Sequence, residues 1–479
     1  MSRIALAVAC LAGAWVQTPA PVPDPAPRLR GLRTWDSWIA EADPEGKSFL
    51  AEFKDLLDWM GKNDYSALLL RGFVDDRHGG EAAARELVRY ARSRGILLLP
   101  SVRLDDEGFV AHPKEHPFAA ETARRAAAAA PRPGEAGFCT SRPENLAWLR
   151  RGTEWLLETF EVDGVVLETS EEAPRCRCVE CGERAEAAAA GGLADLCRAA
   201  PIVADVFRQK RPQGLVLCAP AAWPGAQRPS EAAEIFRHAP ENVLFLREPG
   251  AVPAEEATSP ARRSIALVPG GGPAHHRRTL RLPGGLYRSF RPRLEEIHRA
   301  CAAARRLKPE GFFASVAASP KNPDAELALL AFSEFWRAPD LTVDDFLRRH
   351  LARLYGEQAA PDVMRLFVAQ PALHDKALPF WEGYDGRWPA GSAEAARAAA
   401  RELAAQKALA QAAAAKATAD GKRRLDALAA VLDEYRIACE AAASVPSDGS
   451  PESKARLAEF YEKAGLPDEL YGFKAWMKK

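Results

Sequence analysis

Between Val162 and Cys181 the chain reads VDGVVLETSEEAPRCRCVEC, the densest group of chemically useful side chains in the sequence. Glu168 stops a short apolar run, Val165 to Leu167, and Glu171, Glu172, Cys176, Cys178 and Cys181 follow at once. Carboxylates so placed suit glycoside hydrolysis. That reaction needs a protonated acid at the leaving oxygen and, on the other face of the sugar, a carboxylate or a group of the substrate itself. Glu168 is the leading general-acid candidate, because partial desolvation at the rim of a core would raise its pKa and keep it protonated near neutral pH. Glu171 and Glu172 stand close behind it, and Glu248, at the end of a later apolar run, is placed to face it. The bland reading of each is a surface or arginine-paired carboxylate, and an arginine at contact distance would oppose the raised pKa of Glu168.

Arg71, Arg103 and Arg247 each close an apolar run. Brought together, they would suit a carboxylated sugar such as a uronic acid through bidentate contacts; pairing with neighbouring acids is the alternative. Trp35 and Asp36 at the end of the first run, and Trp223 beyond the fifth, are further substrate-binding candidates. Trp38, Phe73 and Tyr287 are additional aromatic platforms for sugar rings, although such residues also build cores. His275 and His276 sit on a Gly-rich segment that lacks phosphate-loop spacing. His112 and His116, in a long insertion, support a separate reading as a metal-dependent hydrolase.

Cys139 precedes a helical pattern that leads into the Val162 to Cys181 stretch, and Cys176, Cys178 and Cys181 lie at the end of that stretch. Loops from neighbouring strands would bring the four sulfurs together, as a closed and therefore structural zinc site or as disulfides. Cys176 and Cys178 are too close in sequence to pair with each other. Cys197, Cys218, Cys301 and Cys439 read as isolated buried thiols.

Positioning such groups requires a scaffold, and the hydrophobic pattern specifies one. Apolar runs at Leu32 to Trp35, Ala67 to Leu70, Ile96 to Val102, Val165 to Leu167, Leu215 to Cys218, Val243 to Leu246, Ile265 to Val268 and Phe312 to Val316 alternate with helical patterns. Lys47 to Met60, Glu81 to Ser93, Arg293 to Arg306 and Asp324 to Trp336 are the clearest helices, and one capped by Ser141 with Pro143 in its first turn precedes the run at Val165 to Leu167. Continuous apolar runs are the mark of strands buried on both faces. Eight such units over about 300 residues predict a (β/α)8 TIM barrel, with chemistry at the carboxyl ends of the strands; an open doubly wound sheet is the alternative.

The 479 residues exceed what a single core usually serves. A signal peptide is expected over 1–20, from Arg3, an uncharged apolar run and small residues, with a Pro-rich linker over 21–30. The barrel then occupies 31–342, and a C-terminal all-α helical domain occupies 343–479. Export to the periplasm or outside follows from the leader. A formal net charge of zero gives no electrostatic argument for a nucleic-acid or anionic-membrane partner, and a carbohydrate ligand without nucleic acid is the expectation. No run after the leader is long and apolar enough for a membrane span.

FCTSRPENLAWLRRGTEWLLETFEVDGVVLETSEEAPRCRCVEC and AELALLAFSEFWRAPDLTVDDFLRRHLARLYG, Ala325 to Gly356, resemble segments of secreted bacterial proteins allied to the α-glucuronidase and β-hexosaminidase-like glycoside hydrolases. The resemblance implies a TIM barrel followed by helices, with O-glycosyl hydrolase activity on polysaccharide-derived sugars containing uronic acid or N-acetylhexosamine. Many retaining barrel glycosidases place an acid on the fourth strand and a nucleophile on the seventh. Here the seventh runs into VPGGG with no carboxylate. The competing expectation is therefore a non-catalytic carbohydrate-binding barrel that has lost its second carboxylate. Neither reading requires a catalytic cofactor.

Overall fold

The computed structural model describes residues 29–35, 45–104, 108–128, 138–169, 193–219, 243–247, 264–269, 293–306, 309–315, 320, 323–382, 388, 391–445 and 450–464. Eight parallel strands form a closed barrel in sequence order: β1 Leu29–Trp35, β2 Ala67–Arg71, β3 Leu97–Arg103, β4 Gly164–Glu168, β5 Leu215–Ala219, β6 Val243–Arg247, β7 Ser264–Pro269 and β8 Gly311–Ser315. Closure comes from β1 pairing with β8, Leu29 opposite Gly311 and Arg33 opposite Ser315. Each strand coincides with an apolar run of the sequence; six extend it at one end or both, while β3 and β8 are offset from Ile96 to Val102 and Phe312 to Val316 by one residue.

Alternation along the strands divides their side chains between two cores. Leu69, Leu99, Val166, Leu217, Leu246 and Phe313 pack inside the barrel. Leu68, Leu98, Val165, Val216, Phe245 and Phe312 face the surrounding helices. Gly31 is required by this packing, since a Cβ there would lie 2.2 Å from the Phe313 ring. Gly164 opens β4, and its missing side chain lets the Leu215 carbonyl and Leu99 approach, both within 3 Å of where a Cβ would sit.

The helices of the barrel layer are α1 Lys47–Lys62, α2 Gly80–Ser93, α3 Ala120–Ala128, α4 Pro143–Phe160, α5 Leu193–Lys210, α6 Leu294–Arg305 and α7 Pro323–Arg337. Apolar residues at helical spacing decide their inner faces: in α1, Phe49, Phe53, Leu56, Leu57 and Met60 are all buried. Arg142, not Ser141, occupies the cap of α4 and makes no side-chain cap bond; Pro143 starts the helix, its absent N–H costing nothing there. The sequence also carries a helical pattern at Glu231 to His238 and a weakly helical crossover at Ala251 to Arg263, both of which lie outside the described residues.

Among the described residues, five helices follow the barrel: α8 Val343–Tyr355, α9 Ala360–Glu382, α10 Ala393–Ala414, α11 Ala419–Ser444 and α12 Pro451–Lys463. Thr342, Thr418 and Ser450 cap α8, α11 and α12, their hydroxyls accepting from the backbone N–H of Asp345, Gly421 and Ser453. These helices join the barrel through shared apolar packing, such as Phe335 of α7 against Phe346 of α8 at 5.2 Å between rings. Arg424 of α11 also clamps Glu326 of α7, with Nε at 2.7 Å and Nη2 at 3.0 Å from its carboxylate oxygens. No helix among the described residues is long and apolar enough to cross a membrane.

Candidate active site

Strand register brings Arg33, Arg71, Ser101, Arg103 and Glu168 to the carboxyl end of the barrel interior. Each shares strand parity with an inward-facing residue: Gly31 below Arg33, Leu69 below Arg71, Leu99 below Ser101 and Arg103, Val166 below Glu168. Arg103 and Glu168 are directly opposite each other on β3 and β4. Trp35 is opposite Arg71 on β1 and β2.

Glu168 is completely buried and is held by two guanidinium groups. Arg71 donates to one oxygen from Nη2 at 2.8 Å and Nε at 3.1 Å. Arg33 approaches the other oxygen with Nη2 at 2.8 Å. Burial, the largest single influence, pushes the Glu168 pKa up, but the two arginines together outweigh it, aided slightly by the Ser101 hydroxyl, and bring it down to about 2. The raised pKa expected of a general acid is therefore not found. Glu168 is an ionised carboxylate at neutral pH, and its oxygens face cations.

Of the expected arginine trio, Arg71 and Arg103 both lie at this end of the barrel, closing β2 and β3, while Arg247 ends β6 with its side chain outside the described residues. Arg33 is not among the sequence candidates. Its signal was a lone charge inside the first apolar run, two positions before Trp35, where period-two alternation sends both to the same face. Phe73, a candidate sugar platform, is 3% exposed and packs edge-on against Phe160 at 5.2 Å, so it is core. Trp35 is fixed by its backbone, its side chain being outside the described residues. Glu171, Glu172, Glu248, Asp36, Trp38, Trp223, Tyr287, His275 and His276 also lie outside them.

The insertion histidines go to different carboxylates. His112 Nδ1 lies 3.1 Å from Asp75, which is buried and also accepts from the Arg77 backbone and guanidinium. His116 Nε2 lies 3.5 Å from Glu81, and its ring stands edge-on to Trp155 at 4.8 Å. Cys139 is fully buried just before α4, and Cys176, Cys178 and Cys181 fall outside the described residues. Cys218, Cys301 and Cys439 are buried as expected, whereas Cys197 is partly exposed. Burial pushes the Cys301 and Cys439 thiols up to about 12.

A cleft of about 370 Å³ on the outside of the barrel is lined by Trp59, Glu326, Arg423 and Arg424. Its Arg424 and Glu326 are committed to each other.

No protein-family model matches the sequence, and no curated protein matches it. Among solved structures, an O-GlcNAc hydrolase variant from Thermobaculum terrenum aligns over 94% of this chain and 94% of its own, with TM-score 0.51 and 14% identity. The glycoside hydrolase domain of PgaB (BpsB) from Bordetella bronchiseptica covers 63% of this chain and 98% of its own, with TM-score 0.39 and 14% identity. A GH20 exo-β-N-acetylglucosaminidase from Vibrio harveyi covers 71% of this chain and 58% of its own, with TM-score 0.39 and 11% identity. At these identities the likeness to the Thermobaculum protein is one of fold: a TIM barrel of the kind found in glycosidases.

Proposed function

We propose that this chain is an exported glycoside hydrolase-like protein that takes polysaccharide-derived sugars, bearing uronic acid or N-acetylhexosamine, at the carboxyl end of its barrel. The observation carrying the reading is the set of polar side chains, Arg33, Arg71, Ser101, Arg103 and Glu168, gathered there above the apolar residues Leu69, Leu99 and Val166 of the barrel interior. In (β/α)8 barrels this face, built on strand ends, is where substrates are held.

Within this reading Glu168 is a positioning residue. An ionised carboxylate enclosed by two arginines has no proton to give, so proton transfer falls to Glu171, Glu172 or Glu248. The pH profile of kcat/KM separates the roles, measured on any glycoside found in a screen of chromogenic glycosides and uronic-acid oligosaccharides. Glu168→Gln should keep the limb due to the acid while lowering the rate; the corresponding Gln variant of the true acid should lose that limb. Loss of the limb in Glu168→Gln would restore it as the acid.

The locked state of Glu168 also favours a second reading, a non-catalytic carbohydrate-binding barrel. Glycan binding without turnover across the screen would select it. Cys139, with Cys176, Cys178 and Cys181, would tie the loops after β3 and β4 together; metal analysis combined with thiol titration distinguishes zinc from disulfides. N-terminal sequencing of exported protein should find a start between Thr18 and Pro27, and one at Met1 would refute cleavage.

A further inference from the structure

We propose that the cleft on the outside of the barrel, between α1, α7 and α11, is a second glycan-binding site, which holds a short neutral stretch of polysaccharide against Trp59; the inference rests on the reading of this chain as one that takes glycans. The cleft measures about 370 Å³, with Leu56 and Trp59 of α1, Glu326 of α7, Arg423 and Arg424 of α11 and Pro320 around it. That volume lies at the lower end of the range for small-molecule pockets, about 300–1,000 Å³. Such pockets favour seams between structural units, and this one runs between the barrel layer and the helices that follow it.

Trp59 supplies the platform. It is half-buried, its ring lies 5.7 Å from that of Tyr65, and its Nε1 donates to Glu326 Oε1 at 3.4 Å. These contacts fix the ring before a ligand arrives. Little side-chain freedom is then lost when the apolar face of a sugar packs on it.

The polar wall decides which ligand fits. Arg424 holds Glu326 through Nε at 2.7 Å and Nη2 at 3.0 Å, and Arg423 pairs with Asp420. With each cation beside a carboxylate, a charged ligand meets its own sign wherever it meets the opposite one. A hydroxyl both donates and accepts, so a neutral sugar can bond the guanidinium and the carboxylate of one pair together. The inner pair is the fixed part of the wall, its Arg424 and Glu326 side chains keeping 23% and 9% of their exposure. The outer pair is open to solvent, with Arg423 at 79% and Asp420 at 66%. A chain held here also keeps its other units near the barrel end, at a raised local concentration.

The test uses the full-length mature protein carrying 5-fluorotryptophan, with the Trp59 fluorine resonance identified by its loss in Trp59→Phe. A neutral N-acetylhexosamine tetramer and a uronate tetramer are titrated in, followed by fluorine NMR and by calorimetry. The expected result is a saturable shift of the Trp59 resonance with the neutral tetramer and a stoichiometry of two, which falls to one in Trp59→Ala. Arg423→Ala, at an exposed side chain, should weaken the Trp59 response severalfold, with circular dichroism checking the fold of each variant. A stoichiometry of one that is lost in Trp59→Ala would support the cleft and remove the barrel end. Binding of the neutral tetramer with the Trp59 resonance unmoved would overturn the second site and leave the glycan reading standing. A tighter Trp59 response to the uronate would overturn the neutral assignment. Absence of binding by both tetramers would overturn the second site and the glycan reading together.

Discussion

Glu168 shows how two neighbours reverse the chemistry of a buried acid. Its folded pKa of about 2 lies below the ordinary 4.5, so the carboxylate stabilises the fold wherever the unfolded chain would also be ionised. That contribution is fully present above about pH 4.5 and is lost as pH falls through about 2. Its size is about 3 kcal/mol from the shift alone. Glu168→Gln should lower stability at neutral pH by about that amount, because Arg33 and Arg71 lose the charge of the carboxylate they share. Denaturant unfolding followed from pH 7 to pH 2 should also show a shallower acid limb in the variant. An unchanged limb would place the acid sensitivity on other carboxylates. The Cys301 and Cys439 thiols, held near 12, should resist alkylation until the chain unfolds.

At the scale of the element, the barrel strands fit by small residues as much as by large ones. β1 passes Phe313 of β8 only because position 31 is glycine, and a methyl group at 2.2 Å from that ring has no room. Gly31→Ala should therefore cost about 1–3 kcal/mol through displacement of the ring. Adding Phe313→Leu should recover part of the loss. Denaturation midpoints of the single and double variants measure both effects, and a Gly31→Ala protein as stable as the parent would mean that the ring relaxes freely. Because Arg33 lies two positions along the same strand, the displacement should also weaken ligand binding at the barrel end.

For the whole molecule, the outer layer of the barrel and the helices after it share one apolar cluster, in which Phe312, Phe335, Phe346, Tyr355, Leu425 and Leu432 all take part. A shared core predicts one cooperative unfolding transition in calorimetry, and two separated transitions would show the helical part to be independent. Arg424 and Glu326 bridge the same junction, with Glu326 only 7% exposed. Arg424→Ala leaves that carboxylate without its guanidinium partner. Since the Arg424 side chain is partly open to solvent, the expected loss is about 2–3 kcal/mol, below the full cost of breaking a buried pair. A change under about 0.5 kcal/mol would identify the bridge as a surface pair.

The amino-acid sequence by itself determined the eight strands, their order and most of the barrel helices, because continuous apolar runs and helical periodicity are local properties set by which face each residue must bury. It also located Arg71, Arg103 and Glu168 at strand ends. The tertiary structure decided what those residues are to one another. Arg33 reaches Glu168 across 135 positions of sequence, through a closure that pairs β1 with β8 and a parity that turns both side chains inward. Phe73 ends a candidate's course in the same way, enclosed by Phe160 of a helix that its own segment does not reveal. The direction of the Glu168 pKa followed from contacts at 2.8 Å, and distances of that kind arise only when separate strands are brought into register.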